Sequence, residues 1–147
     1  MKWFYKSYDE LNKKELYDIL HLRAEVFVIE QDCPYQDVDN KDQKAIHVYA
    51  VEGDEMVAYA RIFQPGDYFQ EASIGRVVTK SPFRGTGLGQ EIMQLSIKYV
   101  EENIQPKTLR ISAQEYLKNF YSAFGFKQIG DSYLEDGIPH IGMLRCK

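Results

Sequence analysis

The sequence predicts an α/β fold built on a mixed, largely antiparallel sheet, and three observations predict it. A β-branched strand, Ile74 to Thr79, leads after a short link into the glycine turn Arg84-Gly85-Thr86-Gly87-Leu88-Gly89, which opens a long amphipathic segment. A second apolar strand, Thr108 to Ser112, follows that helix, so the two central strands should lie parallel with the helix between them. Outside this unit, Gly53-Asp54 and Asp136-Gly137 each separate two strand-like arms and mark hairpins.

Taken in order, Trp3 to Tyr8 reads as a short aromatic strand. Asp9 or Asn12 is placed to cap the helix that follows, in which Leu16, Ile19, Leu20, Arg23 and Phe27 share a face. Pro34 biases its predecessor away from helix, so that helix ends before Cys33-Pro34. Pro34 to Ala45 reads as a polar, aspartate-bearing loop, of a length often given to function. Ile46 to Glu52 and Met56 to Phe63 form the first hairpin, and Pro65-Gly66-Asp67 breaks the chain after it. Ala72 to Thr79 is apolar on both faces around Arg76, as a central strand requires. In the long helix Leu88, Ile92, Leu95 and Tyr99 recur at helical spacing, opposite Gln94, Lys98, Glu101 and Glu102. Gln114 to Phe124 is a short helix stopped by Gly125, and Phe126 to Leu134 with Ile138 to Cys146 closes the chain as a second hairpin.

With 147 residues, 44% apolar and 14% aromatic, the chain is expected to be one packed domain spanning residues 1–147. A net charge of −4 lacks the clustered Lys and Arg that nucleic acid would call for, and it suits a cationic substrate. Cys33 and Cys146 are far apart and have no metal-ligand company, so neither a disulfide framework nor a metal site is expected. The first residues carry no apolar export signal and no run reaches membrane-spanning length, so the cytoplasm is the expected compartment. A monomer or homodimer is expected, with no membrane partner.

The glycine turn is where chemistry is expected. Glycines let backbone approach a bulky group closely, and the first N–H groups of a helix have no intrahelical partner. Together with the helix dipole they favour a phosphate, and Arg84 adds a charge suited to a pyrophosphate. The turn is not a Walker loop, since no Gly-Lys-Ser/Thr follows, and it does not spell the G-x-G-x-x-G of dinucleotide folds.

The turn resembles motif A of the GNAT superfamily of acyl-CoA N-acyltransferases, Arg/Gln-x-x-Gly-x-Gly/Ala, filled here by Arg84, Gly87 and Gly89. Downstream, Tyr121 to Phe126 is similar to that family's motif B, Tyr-x-x-x-Gly-Phe. The stretch Leu22 to Gln31, Cys33-Pro34-Tyr35, Asp37, Asp39 and Glu135 to His140 resembles the ElaA-like branch. The resemblance implies a single GNAT-like domain with helices on both faces and the two central parallel strands splayed around the cofactor. It implies acetyl-CoA as donor and CoA as product. The backbone of Val77 and Val78 would pair with the pantetheine arm and supply the oxyanion contact, and Arg84, Gly85, Thr86, Gly87, Leu88 and Gly89 would hold the pyrophosphate. Tyr121 falls where the family places its general acid. Gln114 stands where the family often has Asn, and it offers the same amide one carbon further out.

The general base is open between Glu30, His47 and His140, with Asp37 and Glu135 behind them and ordered water as another possibility. Two function classes are in play. One is an N-acetyltransferase acting on a small-molecule amine, a protein lysine or an N-terminus, by direct transfer in a ternary complex. The other is a non-catalytic CoA-binding sensor or regulatory module, and Tyr121 favours the enzyme because a sensor has no use for a proton donor at the thiol. The acceptor side is expected to gather Glu30, Cys33 to Tyr35, Asp37 and Glu135 to His140.

Overall fold

The computed structural model describes residues 1–147. Strands run at Lys2–Ser7 (β1), Ile46–Glu52 (β2), Glu55–Phe63 (β3), Ala72–Thr79 (β4), Thr108–Gln114 (β5), Lys127–Glu135 (β6) and Ile138–Cys146 (β7). Helices occupy Lys13–Arg23 (α1), Leu88–Asn103 (α2) and Lys118–Ser122 (α3). All seven strands share one sheet in the order β1-β2-β3-β4-β5-β7-β6. Every pairing is antiparallel except β4 with β5.

That parallel pair shapes the molecule. β4 and β5 are in register only at Ala72 with Leu109 and at Ser73 with Arg110. Beyond Ser73 no ladder joins them, so the sheet splits down its middle towards the C-terminal ends of both strands. β4 also bulges: Tyr59 faces Val78 and Arg61 faces Gly75, so Arg76 and Val77 together oppose the single residue Ala60.

One helix layer covers each face. Leu88, Ile92, Met93, Ile97 and Val100 of α2 pack onto Val48, Ala58, Ala60, Ile74 and Ile111. Ile19, Leu22 and Val26 pack on the other face against Tyr49, Tyr59 and Val78. Truncating one of these fully buried aliphatic side chains to alanine would cost about 2–5 kcal/mol. The buried stripes are rotated from those expected from spacing: Leu95 and Tyr99 flank the α2 core rather than forming it, and Leu22 and Val26 take the place expected for Leu16 and Leu20.

α1 begins with a capping box, in which Asn12 Oδ1 accepts from the Glu15 N–H and Glu15 Oε1 accepts from the Asn12 N–H, both at 2.8 Å. After Arg23 the helix widens into a π-helical stretch, Ala24–Glu30, that ends in the i→i+5 bonds Gln31 N–H to Val26 O and Cys33 N–H to Val28 O. The short helix expected over 114–124 is cut down to α3 and a preceding 3-10 turn at Glu115–Leu117. Gln114 instead closes β5, because its backbone pairs with His140 of β7.

Candidate functional site

The split between β4 and β5 opens a cavity of about 710 Å³. Ile74 to Thr79 line one side, Ile111 to Gln114 the other, and the end of the π-helical stretch and the β6–β7 turn close it above. Arg84 and Gly89 stand at one end, with Phe120 and Tyr121 along its wall.

The glycine turn is built as the sequence suggests. Gly87 is the N-cap of α2 in a left-handed conformation, φ 86°, which glycine alone adopts without strain. Its carbonyl accepts from Glu91 N–H, so the N–H groups of Leu88, Gly89 and Gln90 have no intrahelical partner. Thr86 Oγ1 donates to Phe83 O at 2.6 Å and ties the loop down. A Cβ on Gly85 or Gly87 would meet nothing within 4 Å, and one on Gly89 only the Phe120 ring at 3.8 Å. This open cradle at a helix N-terminus, with Arg84 beside it, fits a pyrophosphate. Arg84 is engaged: its guanidinium donates to Thr79 O and to Glu30 Oε2, the latter at 2.5 Å.

The Val78 side chain is buried against the α1 layer, that of the half-buried Val77 rests on the α2 layer, and both residues line the gap. Tyr121 is almost fully buried and sits edge-on to the Phe120 and Phe126 rings. Burial, and secondarily Tyr116, pushes its phenol up to about 12, so it keeps its proton at neutral pH. Gln114 Nε2 donates to Gln31 Oε1 at 3.3 Å, linking the end of β5 to the end of the π-helical stretch.

Glu30, Cys33, Tyr35, Glu135, Asp136 and His140 all line this cavity. The walls touch where Cys33 Sγ donates to Asp136 O at 3.3 Å. His140 Nδ1 lies 2.7 Å from Ile138 O, and a carbonyl only accepts, so the ring proton is fixed on Nδ1. Its other nitrogen, Nε2, lies 3.3 Å from Glu135 Oε2.

Two expected base candidates lie elsewhere. His47 is fully buried; its Nδ1 accepts from the Tyr59 hydroxyl at 2.6 Å and its Nε2–H donates to Asp42 O at 2.9 Å. Desolvation pushes its pKa down, so it is a neutral structural group. Asp37 is buried too, and its carboxylate accepts from Arg23 Nε, Tyr35 Oη and Arg76 Nε, each at 2.8 Å. Asp37 is not among the residues lining the cavity, and its carboxylate is committed to these three partners.

Asp37 belongs to an ion network that residue spacing does not reveal. Arg23 from α1, Arg61 from β3 and Arg76 from β4 converge on Asp37, Asp39 and Asp42 of the 34–45 loop. Three charges of each sign balance, and removing one partner of so buried a set would cost about 3–5 kcal/mol. Burial works to raise the Asp39 pKa, but the hydrogen bonds and charge of Arg61 hold it at about 2. Arg76, at φ 51°, occupies the bulge position where glycine is usual, at an order-of-magnitude cost of about 1 kcal/mol or more.

Residues 9–145 match the family model described as "Acetyltransferase (GNAT) domain". The chain is 41% identical to the protein ElaA of Escherichia coli K12 over 147 residues, covering 99% of this chain and 96% of ElaA. The crystal structure of E. coli ElaA superposes with a TM-score of 0.92 at 40% identity, covering 98% of each chain. That of an acyl-CoA N-acyltransferase from Pseudomonas aeruginosa superposes at 0.93 and 40% identity, covering 99% of each. At 17% identity an aminoglycoside 6'-N-acetyltransferase complexed with coenzyme A shares the fold, with a TM-score of 0.71 over 97% of this chain and 96% of that one.

Proposed function

Because the chain belongs to the GNAT acetyltransferase family, we propose that it is an acetyl-CoA-dependent N-acetyltransferase, moving the acetyl group directly to a primary amine in a ternary complex. The observation that carries this reading is the continuity of one cleft. It runs from the unpaired N–H groups at the start of α2, along the open edge of β4, to Tyr121 and the Glu30–His140 side. The coenzyme A bound to the aminoglycoside acetyltransferase of the same fold supports the donor assignment.

In this reading Arg84 to Gly89 hold the pyrophosphate, Gln114 contacts the donor, and Val77 and Val78 supply backbone groups along the pantetheine arm and at the developing oxyanion. The thioester supplies an activated acyl carbon: the C–N bond forms, the C–S bond breaks, and the thiolate leaves. An alkylamine is mostly protonated at neutral pH, so a base must free its lone pair. In this reading His140, beside Glu135, or Glu30 takes that proton, and the support is that all three line the cavity. Tyr121 acts as a hydrogen-bond donor to the departing sulfur. With a phenol at about 12 and an ordinary thiol near 8.5, complete proton transfer would be uphill by about 5 kcal/mol.

The acceptor is a small-molecule amine, a protein lysine or an N-terminus, entering between the β6–β7 turn and the loop after α1. Thiol release from acetyl-CoA in the presence of a broad panel of primary amines tests the reading. Amine-dependent release supports it. Tight CoA binding with no release across the panel would replace it with a sensor that holds CoA without turnover.

A further inference from the structure

Arg76 stands one residue beyond Gly75, yet it is Arg76 and not the glycine that takes the left-handed conformation. Glycine at position 76 would adopt that turn without strain, so the arginine is there for its side chain. That side chain is gripped at two acidic residues. Nε donates to Asp37 Oδ1 at 2.8 Å, and Nη2 donates to Asp37 O at 3.1 Å and to Asp39 Oδ2 at 3.4 Å. The Tyr35 ring lies under the guanidinium at 5.9 Å.

The grips are themselves anchored. Asp37 is fixed by Arg23 of α1, and Asp39 by Arg61 of β3. Arg61 is the residue paired with Gly75, on the near side of the bulge. Asp39 therefore holds Arg61 on β3 and Arg76 on β4 together, a staple across the bulge. Immediately after it come Val77 and Val78, whose backbone borders the gap where β4 has lost β5.

We propose that Arg76 is a positioning residue: through Asp37 and Asp39 it locks the β4 bulge and so aims the Val77 and Val78 backbone at the acyl carbonyl of the donor. The inference rests on the donor assignment above. It also makes the 34–45 loop serve both sides of the reaction, since Tyr35 and Asp39 line the acceptor cavity while Asp37 and Asp39 hold the donor strand.

Backbone amide resonances of valine-labelled and leucine- and glycine-labelled protein, titrated with CoA and separately with acetyl-CoA, test this without an acceptor. In the unmodified protein, Leu88 and Gly89 amides should respond to both ligands, and Val77 or Val78 should respond differently to the acetylated one. Arg76→Gly suits the left-handed backbone and removes the grip. It should keep the Leu88 and Gly89 response and lose the acetyl-dependent difference at Val77 and Val78, with methylguanidinium restoring it and methylammonium not. Arg76→Lys keeps the charge balance and the fold but not the two-point grip, and should lose part of the difference. An undiminished acetyl-dependent difference in either folded variant overturns the role of Arg76. If Leu88 and Gly89 fail to respond to CoA in the unmodified protein, it is the donor assignment that fails instead.

Discussion

Arg84 and Glu30 meet across the mouth of the cleft, Nη2 to Oε2 at 2.5 Å, while the same guanidinium holds Thr79 O. One partner belongs to the glycine turn and the other to the end of the π-helical stretch, so the pair bridges the two sides assigned to donor and acceptor. On the proposed reading, a pyrophosphate at the turn would compete with Glu30 for Arg84, and its arrival would free the Glu30 carboxylate to face a cationic amine.

Glu30→Gln should therefore tighten CoA binding while slowing amine acetylation. Both side chains are well exposed, and pairs of this kind are worth about 0–1 kcal/mol, so the gain in affinity should be at most about fivefold at low salt and fade at high salt. Calorimetric titration of CoA at two ionic strengths reads it. Weaker binding in the variant would show that Glu30 supports Arg84 rather than competing for it.

Gly89 is the cleaner probe of the pyrophosphate cradle. A Cβ there needs no left-handed backbone and meets only the Phe120 ring, whereas any residue at Gly87 would also carry the strain of φ 86°. Gly89→Val should leave the melting temperature within a few degrees and weaken CoA binding by more than about tenfold, through obstruction of the helix N–H groups. Undiminished affinity in the folded variant would remove the cradle assignment.

Tyr121→Phe deletes one hydroxyl from a packed ring. If that hydroxyl stabilises the thiolate, turnover should fall by about 10–100-fold with CoA affinity nearly unchanged, because the lost interaction exists only as the C–S bond breaks. Steady-state kinetics beside a CoA titration separate the two effects. Equal turnover, with chemistry rate-limiting, would leave Tyr121 as a packing residue against Phe120 and Phe126.

Asp39 gives the ion network a signature in acid. Its pKa is depressed from 3.8 to about 2, so the stability it contributes is complete above 3.8 and is lost as pH falls towards 2. Asp42 is depressed as well and adds in the same direction. Denaturant midpoints measured from pH 5 to 2 should fall with pH, and Asp39→Asn should be less stable at pH 5 but lose less on acidification. A parallel fall in both proteins would place the acid sensitivity elsewhere.

Sequence reasoning reaches local chemistry further than it reaches long-range encounters. The glycine turn, the two hairpins and the strand–turn–helix unit were legible because backbone constraints at Gly53, Gly87 and Gly137 act within a few residues. The network around Asp37 was not, because Arg23, Arg61 and Arg76 come from three separate elements and no period connects them. The loop even reverses the usual burial, with Asp37 inside and Val38 exposed. Read alone, its aspartates look like a solvated surface, so Asp37 was expected at the acceptor site. His47 misleads in the same way: its neighbours Tyr59 and Asp42 are met only when β2 and β3 pair and the loop folds back. The widening of the helix after Arg23 had no marker either, since Ala24 to Glu30 continue an ordinary helical pattern.

The sheet is really two plates, β1 to β4 and β5 to β6 with β7 between, riveted at one corner by the rungs at Ala72 and Ser73. β6 is exposed along most of its length, so the smaller plate has less to lose on opening. Its amides should exchange with solvent sooner than those of β2 and β3, most of whose residues are buried. On the proposed reading, a donor lying in the seam would take the place of the missing rungs, a temporary eighth strand joining two unequal plates into one.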